Sequence, residues 1–365
     1  MTGGDAFNGE AQTPRWPARI GRLTRPLPGR RMRAVVRRLL LFLVTLWLVL
    51  TLTWVLTRVV GGDPAVKLAG PEPTPAAVHA IEVRLGLNQP LIAQYFAYLG
   101  NLVRGNLGID YSTEQSVGRE VLDRGPATLQ LVAFGMLFAL LIGVGLGVAG
   151  ALRRGRIADQ LGRVVSVAGL SVPDFFVGLL LAYLLFYRLG AFPAPIGQLP
   201  VGVTPPARIT GFYLIDGVLT GRPGVSWAFI KQMFLPALTL GLVYSAPILR
   251  LTRASMLESL GSDAVVYAEA CGLRRNLVIR YALRQSMTLI VTYLGILLAA
   301  LLGGDVLVEQ VYSWGGLGQF GVGAVSNDNY PAIQAFVLVV GVAALVIYTT
   351  VDIVYMVIDP RVTLT

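Results

Sequence analysis

Six apolar runs, each near the length that crosses a bilayer, constrain this chain more than anything else in it. They cover residues 35–60, 128–152, 164–187, 227–249, 287–302 and 333–358. A helix needs about 20 mostly apolar residues to cross the hydrocarbon core. In lipid the backbone must satisfy its own polar groups, which leaves helices or closed barrels. Runs of this length predict helices, so the expected fold is an all-α polytopic membrane protein with six transmembrane helices. The fifth run is the shortest, and Leu277, Ile279 and Leu283 extend it back into a basic segment. Composition agrees. The chain is 55% hydrophobic and 14% charged, against about 45–50% and about 25% in soluble domains.

The net charge of +10 is carried by arginine, with Lys67 and Lys231 the only lysines. Nucleic acid is not the reading, because the arginines flank apolar runs. Nine lie at the start of the chain, from Arg15 to Arg38. Arg153, Arg154, Arg156 and Arg163 follow the second run, and Arg250, Arg253, Arg274, Arg275, Arg280 and Arg284 follow the fourth. Alternate connections are thus basic, while the others mix Asp63, Glu72, Arg84, Asp110, Glu114, Arg119, Glu120, Glu309 and Asp328. The positive-inside rule then places both termini in the cytoplasm.

The expected organisation follows. Residues 1–33 are expected to form a basic cytoplasmic tail that is disordered or lies on anionic lipid. Residues 34–60 form the first span, read as an uncleaved anchor because Gly61-Gly62-Asp63-Pro64 ends it without a small-x-small site. Residues 61–126 form an extracytoplasmic segment with short amphipathic helices over 74–87 and 91–102. Pro75 suits a first helical turn. Residues 127–358 hold five further helices and a long cytoplasmic loop at 251–286. Residues 359–365 form a cytoplasmic tail, and 188–226, rich in Pro and Gly, forms an irregular cap.

Several chemistries are disfavoured. No Gly-Lys-Ser/Thr occurs, so no Walker A loop is present. A lone Cys271 and a lone His79 make neither a disulfide nor a Cys/His metal cluster. One histidine on an outer segment assembles no hydrolytic triad. Gly316-Leu317-Gly318-Gln319-Phe320-Gly321 fits G-x-G-x-x-G. It lacks the strand, helix and acid of a dinucleotide site and reads as a tight turn at the membrane. Intramembrane acids mark candidate functional sites. Asp174 lies in Ser171-Val172-Pro173-Asp174-Phe175, where the proline frees a backbone carbonyl. Ser171, Pro173 and Asp174 are therefore candidates for a translocation path, weighed against a packing role. Asp352 is the other such acid.

The loop after the fourth run has its own logic. Arg250–Gly261 should continue the fourth helix, and Ser262 should cap a second, thin helix containing Ala264, Ala268 and Ala270. Gly272 should end it, and a basic helix should start near Asn276. The residues fit both an ordinary lipid-anchored loop and a docking element.

Two quoted stretches carry a resemblance. Ala268-Glu269-Ala270-Cys271-Gly272-Leu273 and Arg280-Tyr281-Ala282-Leu283-Arg284-Gln285 resemble the coupling loop of ABC-importer permeases of the dipeptide/oligopeptide/nickel class. Further matches cover nearly the whole chain after Arg37. They include Gly62-Asp63-Pro64-Ala65, Leu85-Gly86-Leu87-Asn88-Gln89-Pro90, Leu235-Pro236-Ala237-Leu238-Thr239-Leu240, Arg250-Leu251-Thr252-Arg253-Ala254-Ser255, and Glu309-Gln310-Val311-Tyr312-Ser313-Trp314-Gly315-Gly316-Leu317-Gly318. Glu269 and Cys271 stand where arginine and lysine are common, and Gly315 where proline is usual.

The resemblance implies a type I importer permease with no enzymatic activity and no cofactor of its own, ATP and magnesium being held by partner subunits. It implies a second homologous permease subunit, two cytoplasmic ATPase subunits, an extracytoplasmic substrate-binding protein and a peptide substrate. It also implies that Tyr267, Ala268, Glu269, Ala270, Gly272, Leu273, Arg274 and Arg275 couple to the ATPase. Two other readings stand beside it: the same machine importing nickel or another small solute, and a stand-alone secondary carrier. The latter would show inverted repeats and midplane acids.

Overall fold

The computed structural model describes residues 28–59, 61–70 and 72–358. The expectations for the tail up to residue 27, for 359–365 and for the Asp352 side chain fall outside the described residues. Among them every regular element is a helix, apart from an isolated bridge between Ile109 and Ser116. Helix α1 (Pro28–Val59) begins six residues before the expected start at 34. Pro28 occupies the first helical position, where a missing N–H costs no hydrogen bond.

Three short helices follow α1. Helix α2 (Pro64–Leu68) was not expected. The Asp63 carboxylate caps it by accepting from Ala65 N at 2.8 Å. Helix α3 (Pro75–Leu85) has Pro75 in its first turn, Thr74 as N-cap and Gly86 in the left-handed region at its end (φ 67°). Helix α4 (Leu91–Val103) matches the expected second outer helix.

Helix α5 (Val117–Leu152) starts eleven residues before the expected second span. Polar residues hid that first part, yet Glu120 is buried and accepts from Thr113 Oγ1 at 2.7 Å.

The third apolar run is not a straight span. Helix α6 (Ile157–Ser171) stops, and α7 (Asp174–Leu181) starts at 114° to it, then widens into a π-helical segment (Ala182–Arg188). Pro173 supplies no N–H and pushes Val172 into an extended conformation (ψ 127°), so the helix cannot pass through.

The cap after it is irregular, as expected, except for α8 (Tyr213–Leu219). The Asp216 carboxylate organises this cap, accepting from Thr210 N (2.8 Å), Thr210 Oγ1 (2.7 Å) and Gly211 N (2.9 Å). Burial opposes its charge. The donors of Thr210, Gly211 and Ile209 outweigh that and hold it below the usual carboxylate range.

Helix α9 (Pro223–Leu260) has 38 residues, about 57 Å at 1.5 Å per residue, well beyond the hydrocarbon core. It carries the fourth run and continues through Arg253 as expected. Helix α10 (Asp263–Ala270) and α11 (Arg275–Gly304) follow, then α12 (Val306–Val311), α13 (Leu317–Ser326) and α14 (Tyr330–Ile358). Four helices are long and apolar enough to cross a membrane alone, and counting the two bent pairs as spans gives six.

The dominant packing is α5 against α9. It is close because glycines of α5 face side chains of α9. A Cβ at Gly135, Gly143 or Gly147 would sit within 3 Å of Leu240, Ile248 or Thr252. Small residues permit this approach where lipid supplies no hydrophobic drive between helices. The glycines recur at eight- and four-residue spacing and so share one face.

Contacts also sort the connections into two ends. Asp159, in the first turn of α6, binds Arg253 near the end of α9. Ala151, Met256 and Ala282 share one buried cluster. At the other end, Tyr330 at the start of α14 donates to the Gly62 carbonyl just past α1. The arginine-bearing connections therefore lie together at one basic end, and α2–α4, α8, α12 and α13 sit toward the opposite end.

Candidate coupling and translocation residues

At the basic end, α9 closes at Gly261 and hands over to α10. Ser262 has the extended dihedrals of an N-cap, but its hydroxyl donates to the Ser259 carbonyl at 2.7 Å and caps no N–H of α10. The side chain finishes the helix before it instead of starting the one after it.

The far end of α10 is built as expected. Gly272 N bonds Glu269 O (2.9 Å) and Leu273 N bonds Ala268 O (3.1 Å), while Gly272 takes φ 75°. This pair of bonds is the Schellman motif, which needs a left-handed residue at its centre. Val265 is buried and anchors α10, whereas Tyr267 is 74% exposed. Ala268 is half-buried, and Glu269, Ala270, Gly272, Leu273, Arg274 and Arg275 are exposed. The sequence-predicted coupling residues thus form one continuous exposed edge running from α10 into the start of α11. Among the described residues Glu269, Arg274 and Arg275 have no ion-pair partner.

Two arginines assigned to topology alone do more than that. Arg253 Nε and Arg163 Nη2 donate to the buried Asp159 carboxylate at 2.7 and 3.0 Å, and Gly155 N adds a third bond at 3.0 Å. The turn between α5 and α6 is thereby fastened to α9, one to two helical turns before α9 ends. The i, i+4 spacing of Asp159 and Arg163 was a readable signal for half of this cluster. The Arg253 half needed the fold.

The path candidates flank the break in the third run. Ser171 and Pro173 are exposed, and Asp174 is half-buried in the first turn of α7. Asp174 faces Tyr244 of α9 and Asp305 between α11 and α12. Asp305, 7% exposed, was missed. Its only sequence signal is an acid directly after a span.

The largest omission is Glu309. It reads as an outer loop acid, yet it is 2% exposed. It accepts from Thr128 Oγ1 at 2.6 Å and from Gln319 N at 2.9 Å, while Thr128 Oγ1 accepts from Leu317 N at 2.8 Å. Around it, Trp314 Nε1 donates to Ala127 O at 2.9 Å, and Tyr312 donates to Gly178 O at 3.0 Å. The stretch 309–319 therefore ties α5, α7, α12 and α13 together. The G-x-G-x-x-G match is the start of α13, a helix where a turn was expected. A Cβ at Gly316 would collide with the Glu309 and Thr128 oxygens, and one at Gly321 would meet the Phe336 ring at 2.9 Å. Among the described residues no three His, Cys, Asp or Glu side chains gather as metal ligands.

Long apolar helices, a broken span and an exposed short helix at the basic end define a multi-pass membrane protein. Comparison with known proteins makes this specific. Residues 139–364 match the family model described as binding-protein-dependent transport system inner membrane component, and residues 31–132 match the model of that system's N-terminal region. The chain belongs to this family. It is 38% identical over 315 residues to the probable D,D-dipeptide transport system permease of Escherichia coli (strain K12), covering 86% of this chain and 92% of that protein. It is 34% identical over 328 residues to the dipeptide transport system permease of Alkalihalophilus pseudofirmus (strain ATCC BAA-2126 / JCM 17055 / OF4), covering 90% and 98%. It is 38% identical over 330 residues to the di/tripeptide transport system permease of Pseudomonas aeruginosa (strain UCBPP-PA14), again covering 90% and 98%. The protein is a multi-pass permease subunit of an ABC importer in the bacterial inner membrane, not an enzyme, and works with partner ATPases and a substrate-binding protein.

Proposed function

We propose that this permease carries short peptides, pairs with a second homologous permease, and faces the cytoplasm with its basic end. The peptide assignment is supported by the names of its relatives. The orientation is supported by the arginines gathered at one end. Two ATPases would then sit beneath the pair and the substrate-binding protein would sit over α3, α4 and the cap.

The observation that carries the coupling role is the exposed edge from Tyr267 to Arg275, held in shape by the left-handed Gly272. Glu269, Arg274 and Arg275 offer unpaired charges to a partner surface, and Ala270 leaves room for close approach. ATP-driven closure of the partners would move α10, and the long α9 would relay that movement as a rigid body. Ser171, Pro173 and Asp174 would line the path where the break at Pro173 exposes backbone away from lipid.

Uptake of a labelled dipeptide in a strain deleted for this gene tests the reading. The gene is returned with and without that of the ATPase. Uptake should return only with both. Uptake without the ATPase would replace the importer with a secondary carrier, and nickel accumulation without peptide uptake would change the cargo.

A further inference from the structure

Helix α6 lies along α9 in the opposite chain direction, and the residues of α9 beneath it share one face. Asp159 meets Arg253. A Cβ at Gly162 would stand 3.5 Å from the Leu249 side chain, and one at Gly169 2.8 Å from the Ala246 Cβ. Past the break, a Cβ at Gly178 of α7 would lie 3.4 Å from the Thr239 methyl. Thr239, Ala246, Leu249 and Arg253 follow at spacings of seven, three and four, which is one side of a helix.

The contacts along this face differ in kind. Gly162 and Gly169 present backbone to α9 and have no side chain to lock into it. The opposite face of α6 carries Ile157, Leu161 and Val164, all exposed. Asp159 is the exception. Among the described residues it makes the only side-chain hydrogen bonds between α6 and another helix. Arg253 Nε donates to Oδ1 at 2.7 Å and Nη2 to Oδ2 at 3.3 Å. The Asp159 side chain is wholly buried, and Arg163 Nη2 and Gly155 N hold it from its own side at 3.0 Å each. Two oxygens facing two nitrogens of one guanidinium fix direction as well as distance.

Asp159 lies in the first turn of α6 and Ser171 ends it, about 18 Å along the helix axis. Pro173 and Asp174 follow. Helix α6 therefore runs from a polar cross-link at the basic end to the break in the third run.

From this geometry we infer that the Asp159–Arg253 pair is a positioning link, which passes movement of the basic end of α9 to α6 and so to the break at Pro173. The inference rests on the coupling and path roles proposed above. When α10 is displaced, α9 carries Arg253 with it, and the paired oxygens oblige Asp159 to follow. Helix α6 is then drawn along its own axis over a face lined by its glycines, and the movement emerges at the break. Without the pair, α9 moves and α6 lags. Both residues act through α6, and neither is placed in the path.

The test uses the assembled transporter in proteoliposomes, with dipeptide uptake measured per ATP hydrolysed. Arg253→Met and Arg163→Met each take one arginine from the same carboxylate, but only the first cuts the link between helices. Arg253→Met should lower uptake per ATP by about tenfold or more, as loss of a hydrogen bond between charged groups implies. ATPase co-purification and basal hydrolysis should not change. Arg163→Met should stay within about twofold of wild type, as an exposed i, i+4 pair implies, and Arg253→Lys should recover most of the coupling. If Arg253→Met accumulates poorly, Asp159→Asn takes its place. It keeps an acceptor for Gly155 N and should lower uptake per ATP about threefold, because only the charge assistance is lost. A purely structural bond would change the amount of assembled transporter and leave uptake per ATP as in wild type, and that result would overturn the link. Equal effects of Arg253→Met and Arg163→Met would overturn it too. Gly272→Pro in the same assay separates the two readings. Uncoupling by Gly272→Pro but not by Arg253→Met rejects the link alone, whereas full transport by Gly272→Pro rejects the coupling edge and the link with it.

Discussion

Glu309 shows how much one buried carboxylate can hold in place. Its oxygens receive the Thr128 hydroxyl and the Gln319 N–H, and its position excludes any side chain at Gly316. Glu309→Ala should strand those donors, at about 1–3 kcal/mol for each unsatisfied buried group. Glu309→Gln still accepts one bond and should cost less. Thermal unfolding of the detergent-solubilised protein checks this. The expected order is wild type, Glu309→Gln, then Glu309→Ala, and an Ala variant as stable as wild type would dismiss the clamp. Hydropathy and charge placement do not distinguish Glu309 from Glu114, which is 71% exposed and pairs with Arg84 at the surface. The distinction comes from Thr128, 181 positions away along the chain.

At the scale of the element, the α5–α9 pair is defined by what its glycines leave out. Gly143 and Gly145 lie two residues apart on one helix and are chemically identical. A Cβ at Gly143 would stand 2.8 Å from Ile248 and 2.9 Å from the Ser245 carbonyl oxygen, whereas one at Gly145 meets nothing within 4 Å. Gly143→Ala should force the helices apart, at about 1–3 kcal/mol for overpacking. Gly145→Ala should be neutral or slightly stabilising, because alanine favours the helix. Membrane accumulation and unfolding temperature of the two variants, side by side, read this directly. Equal behaviour would mean that the close packing is not a feature of the folded protein.

On the scale of the whole molecule, the Schellman turn at Gly272 joins α10 to α11 within the proposed coupling edge. The space around Gly272 is open, so a larger residue is excluded by backbone and not by contact. Gly272→Leu must hold φ near 75°, at about 1–2 kcal/mol. Gly272→Pro loses both that conformation and the N–H bond to Glu269 O. Gly272→Asn tolerates the left-handed region. Leu and Pro variants should insert in the membrane yet lose ATPase co-purification and peptide uptake, and Asn should keep both. Full transport by Gly272→Pro would remove the coupling role from this turn.

The six runs determined the fold class, because about 20 apolar residues in lipid have few structures open to them. The two outer helices were also legible, since Thr74, Pro75 and Gly86 are local punctuation that acts within a turn. So was the helix break at Gly272, which depends on one residue's own backbone freedom. Pro173 was legible as an interruption, but the 114° turn it produces was not. A proline stops a helix, while the direction of the next one depends on what it packs against. Tertiary structure alone decided that Glu309 is interior and that Asp159 rather than lipid takes Arg253. Each of these depends on residues far apart in the chain. Hydropathy and spacing act over one or two helical turns, whereas burial of a charge is set by which distant donor arrives beside it.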